Sequence, residues 1–295
     1  HAVNGAFKAV AYTVQDVVGM CFKVGTAQGL IFLLLFLLQQ AQCLCHFFQI
    51  FIVVNLVTLQ AIQGQLFENR NFMAQVVVPD LLAACDKAPT AESRDGCAAL
   101  KGWDRRNNID ARGAHVFREF WRTARNIPGV HRVPFDPAQP VATPAGLKMD
   151  DVATAAKVWE ALDSAVKAIR TSGYTLDATL GSVQRPAITE EAIALHGGEE
   201  FEGVLNNLGR QEPAPINKAG LRIDYGTSYV QTVTFDAKGP VAQAILTYGQ
   251  STNPASPHAN DQMREFSAKR WHTLPFHRDD VVKARVGEPL RLVRP

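Results

Sequence analysis

The sequence predicts an α+β fold (or an α/β fold with antiparallel strands near its C-terminus), and two stretches carry that prediction. Between Asp150 and Gly173 apolar residues recur at three- and four-residue steps, the period of a helix. Between Tyr229 and Tyr248 the period falls to two and β-branched residues dominate, the signature of paired strands. A third observation is compositional. The 295 residues are 47% hydrophobic and 20% charged, as in an ordinary globular protein, but the average hides a split. Residues 1–56 hold only Lys8, Asp16 and Lys23 as charged side chains, and the first Glu, Arg, Pro and Ser are Glu68, Arg70, Pro79 and Ser93. Two compositions meet near residue 57, and the second carries the information.

The opening segment begins with His1, which suggests a processed product or a fragment. Its apolar core, Leu30–Leu38, follows no basic cluster of the kind a signal peptide carries. A membrane-spanning helix wants about 20 apolar residues. Extending the run that far takes in Gln39, Gln40, Gln42, His46, Gln49 and Asn55, so an anchor is disfavoured. A buried helix is a second reading. A third, which composition favours, is that residues 1–56 are foreign to the fold, as an out-of-frame translation would be.

From Thr58 polar and apolar residues interleave. Pro79 and Asp80 suit the first turn of a helix, where a missing N–H is harmless and a negative charge meets the positive end of the dipole. Asp86–Gly96 reads as a polar loop before Cys97 resumes an apolar stretch. Four prolines between Val133 and Pro144 mark an extended connector. Asp150-Asp151 opens the clearest helix, with Val152, Ala155, Trp159, Leu162, Val166 and Ile169 on one stripe and Gly173 placed to end it. Tyr229–Phe235 and Val241–Tyr248 flank Asp236-Ala237-Lys238-Gly239-Pro240, which is turn chemistry, so they predict an antiparallel hairpin. A Gly/Asn/Pro/Ser-rich loop, 249–257, and a short helix within Asp261–Trp271 follow.

Chemistry is sparse. Thirty basic and 28 acidic residues leave a net charge of +2 and no basic face for nucleic acid. Cys43-Leu44-Cys45-His46 lacks the spacing and the second ligand pair of a zinc site and is set aside. Cys85 and Cys97 flank the polar loop; a bridge between them would contribute about 3 kcal/mol in an oxidising compartment, and is favoured over two buried thiols. His258 with Asp261 suits loop-tying or capping better than catalysis. His196-Gly197-Gly198 suits a turn, although the glycines would also allow a ligand close to the backbone. Nucleophile-elbow, phosphate-loop and His-Glu-x-x-His motifs are absent. Spacing alone ends at an α+β domain of secreted type.

Longer motifs go further. Glu68-Asn69-Arg70-Asn71-Phe72, Gly102-Trp103-Asp104-Arg105-Arg106, Phe117-Arg118-Glu119-Phe120-Trp121 and Leu195-His196-Gly197-Gly198 occur in this order. Asp224–Tyr229 follows, then the most specific block, Tyr248-Gly249-Gln250-Ser251-Thr252-Asn253-Pro254-Ala255-Ser256-Pro257-His258 running on to Phe276. Together, over roughly residues 58–285, they resemble the C-terminal part of the β chain of the penicillin acylase family, within the N-terminal-nucleophile hydrolases. The acyl-homoserine-lactone acylase and aculeacin acylase branch is the most similar.

The resemblance implies a four-layer αββα sandwich, of which residues 57–295 are part, and a periplasmic or secreted setting. It implies hydrolysis of the linear amide of an N-acylated amine by a serine at a β-chain N-terminus, whose own α-amine is the base. It implies no cofactor and no metal. The partners expected are a small acyl-amide substrate, and the α chain and upstream β-chain residues of one precursor; nucleic acid is not among them. The nucleophile and the oxyanion asparagine belong ahead of Glu68, so no catalytic residue transfers to a position here, and the chain alone is expected to be inactive. Cys85 and Cys97 are the only site residues carried forward. A non-catalytic secreted binding module on the same scaffold, and a penicillin, cephalosporin or lipopeptide acylase, are the alternatives.

Overall fold

A computed structural model describes residues 58–212 and 214–293, nearly all within one compact unit, Leu59–Pro295. The segment expected to be foreign, with its Leu30–Leu38 run, lies outside the described residues. Helices and small sheets mix, the coarse form of the predicted class.

Five helices come first: α1 Leu59–Phe67, α2 Phe72–Ala83, α3 Ala91–Lys101, α4 Ala114–Ala124 and α5 Val152–Thr171. Each of α2, α3 and α5 starts at a side chain that replaces a missing backbone acceptor. The Asn71 carbonyl accepts from Ala74 N–H, the Thr90 hydroxyl from Ser93 N–H and the Asp151 carboxylate from Thr154 N–H, all at 2.9 Å. The predicted long helix is α5, ending at Ser172 with Gly173 at φ +87° just beyond. Its stripe is buried from Trp159 onward, while Ala155 is only half-buried and Val152, at the first position, is 84% exposed.

Two expectations are corrected. Pro79 does not open a helix; it lies inside α2, which begins seven residues earlier at the Asn71 cap. Asp80 accordingly serves no helix start but accepts from the Leu147 N–H at 2.7 Å and pairs with Arg132. The polar stretch 86–96 is mostly helical, a 3-10 turn Cys85–Lys87 followed by α3. The polarity belongs to a helix face: Thr90 and Ser93 both donate to Asp163 on α5. Gly96 lets the two helices meet, since a Cβ there would lie 2.8 Å from Leu162 Cδ1.

Helix α4 packs against α5 and is buried along almost its whole length. Phe117, Phe120 and Trp121 fill the space between α2, α3 and α5, and with Leu81, Leu100, Leu162 and Ile169 they form the main core.

The second half carries the strands. A short helix α6, Leu180–Val183, leads into β1 Gln184–Pro186, which pairs in parallel with β3 Leu221–Ile223. β2 Leu208–Gly209 pairs antiparallel with β4 Tyr225–Gly226. The predicted hairpin is β5 Tyr229–Asp236 and β6 Gly239–Leu246, in register from Tyr229↔Leu246 to Asp236↔Gly239. The Asp236 carboxylate accepts from Lys238 N–H at 2.7 Å and Gly239 N–H at 3.1 Å, closing a two-residue turn. Helix α7, Asp261–Ser267, then β7 His272–Leu274 alongside β6, and α8 Arg278–Ala284 complete the described chain. One face of the β5-β6-β7 sheet meets α1 and α7 around Phe67, Ile245 and Phe266. The other face carries Tyr229, Val233 and Phe235 exposed.

Candidate functional site

The motifs that carry the family resemblance converge in space. Asn69, Asn71, Asn107, Arg118, His196 and Asn206 are all buried, and three of them, Asn71, Asn107 and Arg118, bond one carboxylate, Glu202. The backbone brings them there. Asn71 N–H donates to the Arg105 carbonyl at 2.9 Å and Asn107 N–H to the Asn69 carbonyl at 2.7 Å. Gly197 N–H continues to the Asn107 carbonyl at 2.9 Å and Gly198 N–H to the Asn206 carbonyl at 3.1 Å. Four separate stretches of chain thus lie side by side as an irregular ladder. Gly197 has φ +102°, and a Cβ on it would sit 2.4 Å from the Asn206 carbonyl oxygen, so this approach needs glycine.

Glu202 closes the arrangement from a 3-10 turn, Glu200–Glu202. Its Oε2 accepts from Arg118 Nε and from Glu199 N–H, both at 2.7 Å. Its Oε1 accepts from Asn71 Nδ2 at 2.9 Å and Asn107 Nδ2 at 3.1 Å. A carboxylate has about four acceptor sites, and here all four are filled. Each nitrogen of Arg118 is engaged as well: besides Nε, its terminal nitrogens donate to Gln184 Oε1 and, at 3.2 Å, to the Gly197 carbonyl. The Gln184 amide completes the circuit by donating to the Leu195 carbonyl at 2.8 Å. Both charged side chains are 0% exposed. A buried pair is tolerable only when hydrogen-bonded in this way, and none of its atoms is left to meet a substrate. Its role is to position chain.

The buried histidines fit the same reading. His196 Nδ1 accepts from the Ile109 N–H at 3.3 Å, which leaves Nε2 to donate to the Ser267 carbonyl at 3.0 Å. Burial, reinforced by the Lys269 charge, lowers its pKa to about 4, so it is a neutral tie between α7 and the ladder. His115 is likewise lowered to about 4 by burial, with Nε2 3.0 Å from the Thr175 carbonyl. Glu119, on α4 beside Arg118, is pushed up by burial against the opposing pull of Arg122, and its Oε1 accepts from Ile216 N–H at 3.1 Å.

Cys85 and Cys97 are joined by a disulfide, with Cα atoms 6.0 Å apart, linking the turn after α2 to the middle of α3. His258 Nδ1 lies 2.8 Å from Asp261 Oδ2 at the start of α7, beside the loop of the most specific motif. Gly249 allows a close backbone approach within that motif. A Cβ there would fall 1.8 Å from the Ala259 carbonyl oxygen, and Gln250 N–H donates to the His258 carbonyl at 3.1 Å, so the loop is clamped at its neck. Sequence reasoning missed Glu202, Gln184, Asn107 and Asn206. The only signal for Glu202 was the Glu199-x-x-Glu202 spacing of a capping box, which the structure contains.

Comparison with known proteins agrees with the motifs. The penicillin amidase family model matches residues 48–283, starting inside the segment expected to be foreign. An acyl-homoserine lactone acylase, PvdQ, of Pseudomonas syringae pv. syringae is 34% identical over 230 residues, covering 76% of this chain and 29% of that protein. Aculeacin-A acylase of Actinoplanes utahensis is 33% identical over 219 residues, 72% of this chain and 26% of that protein. The chain therefore spans less than a third of the length of these relatives. A solved penicillin G acylase from Alcaligenes faecalis superposes at a TM-score of 0.35 with 15% identity, over 74% of this chain and 46% of that one. On the matched span and the two acylase relatives, the chain belongs to the penicillin amidase family.

Proposed function

We propose that residues 57–295 are the C-terminal part of the β chain of an acylase that hydrolyses the amide of N-acylated amines, acyl-homoserine lactones foremost. The 34% identity to a protein of that printed activity carries the reading. In the proposed reaction a serine hydroxyl attacks the amide carbonyl, and the C–N bond breaks as the amine leaves with the proton. Water then cleaves the acyl-serine ester. The residues described here contribute none of the reacting atoms. They supply a scaffold whose polar ladder fixes four stretches of chain, and the upstream β chain and the α chain supply the site. The exposed Tyr229, Val233 and Phe235 face supports docking of those upstream residues, in keeping with the four-layer sandwich that the resemblance implies.

The setting proposed is the periplasm or outside the cell. The Cys85–Cys97 bond supports an oxidising compartment. Among the described residues no helix is long and apolar enough to cross a membrane.

The test is hydrolysis by the complete precursor product, offered acyl-homoserine lactones of graded chain length and penicillin G, with release of the amine measured. Release of homoserine lactone, abolished by replacing the β-chain terminal serine, is the expected result. No release from any acyl amide would overturn the proposal.

A further inference from the structure

A cleft of about 310 Å³ opens between α4, the Glu200–Glu202 turn and the β2–β4 pair. Its lining holds several polar groups, most of them solvent-exposed, that make no bond within the described residues. The Arg125 guanidinium lies 4.6 Å over the Phe201 ring and enters no ion pair with a described residue. Glu200, on the same turn, has no ion pair with a described residue either. The side-chain amides of Asn207 and Gln211 and the hydroxyl of half-exposed Tyr225 also make no hydrogen bond to described residues. Below them Glu199 accepts from Arg210 at 3.3 Å, while the buried Arg210 Nε is left without a partner. A cleft with aromatic walls and polar groups bound only by solvent leaves those groups available to a small molecule.

The charges narrow the ligand class. Two arginines and two glutamates line the cleft, so its field favours neither a simple anion nor a simple cation. A free cation and a free carboxylate in one small cleft suit a molecule carrying both charges. The guanidinium fork takes a carboxylate in bidentate fashion, and the Glu200 carboxylate takes an ammonium. Phe201 and Tyr225 supply an apolar wall. The volume lies at the lower end of ligand sites, which run from roughly 300 to 1,000 Å³.

We propose that this cleft binds a free α-amino acid with an apolar side chain, its carboxylate on Arg125 and its ammonium on Glu200. The proposal is independent of the acylase reading, since it stands on residues 125 and 199–225 alone.

Three probes test it on the full chain: L-phenylalanine, 3-phenylpropionate, which lacks the ammonium, and 2-phenylethylamine, which lacks the carboxylate. Saturation-transfer NMR or calorimetry should give saturable binding of phenylalanine, and at least roughly tenfold weaker binding of the other two, since each loses one charged hydrogen-bonded contact. Arg125→Ala and Glu200→Gln should each weaken phenylalanine by a similar factor. Both positions are exposed, and circular dichroism checks that the variants fold. Absence of saturable binding by phenylalanine overturns the proposal. So does equal binding of phenylpropionate, which would make the cleft a plain anion site, or unchanged binding by Arg125→Ala. The three-probe comparison needs no variant and decides the matter even if one misfolds.

Discussion

Replacing Arg118 with methionine isolates what the buried ladder contributes to stability. Methionine keeps much of the length and the apolar stem but removes every donor. Glu202 then loses its 2.7 Å contact to Nε and its one ion-pair partner among the described residues, while Gln184 Oε1 loses the donor it accepts from. The Gly197 carbonyl is less affected, because Gln184 Nε2 still donates to it at 3.2 Å. Removing one partner of a fully buried pair costs about 3–5 kcal/mol, and an orphaned buried acceptor adds about 1–3 kcal/mol. Domains of this size are stable by roughly 5–15 kcal/mol, so a loss of this order should take a large share of the original stability or prevent folding. Glu202→Gln is a sharper companion. Its volume is almost unchanged, yet one amide end would place N–H groups against the N–H groups of Arg118 and Glu199, at a cost of about 3 kcal/mol or more. Urea unfolding followed by tryptophan fluorescence measures both, with Trp103 and Trp121 in the adjoining core as reporters. A loss below about 1 kcal/mol in both variants, with unchanged denaturant dependence, would refute the reasoning and assign the stability to the apolar core alone.

Replacing Cys85 and Cys97 together with serine should lower stability by about 3 kcal/mol, seen as an earlier urea midpoint, because the bond closes a loop across a separation of 12 residues. An unchanged midpoint would mean that the denatured chain is not constrained by it. Gly249→Ala should open the loop 249–259 to limited proteolysis, since the added methyl meets backbone rather than a side chain that can move. Protection equal to the parent would contradict this. His115 and His196 are held neutral, so the folded state resists their protonation while the unfolded chain accepts it near pH 6.5. Stability present above pH 6.5 is therefore lost progressively as pH falls toward 4, where both finally titrate. Imidazole resonances read by NMR should not move between pH 7 and 5.5; a midpoint near 6.5 for either would show that its burial is misjudged.

Helix α5 was legible because three local signals coincide there: the Asp151 cap, the stripe and the glycine just past the end. The hairpin was legible for the same reason, Asp236 and Gly239 being both turn residues and register-setters. Pro79 misled because a proline marks a helix start only statistically, and Asn71, a stronger cap, already stood eight residues before. Polarity in 86–96 suggested a loop because Asp163, the residue that Thr90 and Ser93 face, lies more than 60 residues on. The same distance hid the ladder. Glu202 sits in an acidic run that reads as solvated surface, and only the tertiary fold delivers its side-chain donors, which are 84, 95 and 131 residues away. The disulfide pair, with both members close in sequence and across one short connection, was within reach of spacing arguments.

The Glu202 carboxylate also divides the sequence into stretches of fixed and free length. Between Asn69 and Glu202 the chain must return four times to within hydrogen-bond distance of one buried group or its neighbours, at 69–71, 107, 118 and 197–198. A residue inserted near any of these would move a donor by more than 3 Å and strand a charge, so those stretches cannot grow. The proline-rich connector is different. Residues 137–142 face solvent between α4 and α5, with Val141 93% exposed, and they touch neither the ladder nor the main core. Extra loop residues there add only a slowly growing closure entropy. It is the place where this half of the fold can accept insertions, tags or whole domains while the ladder keeps its register.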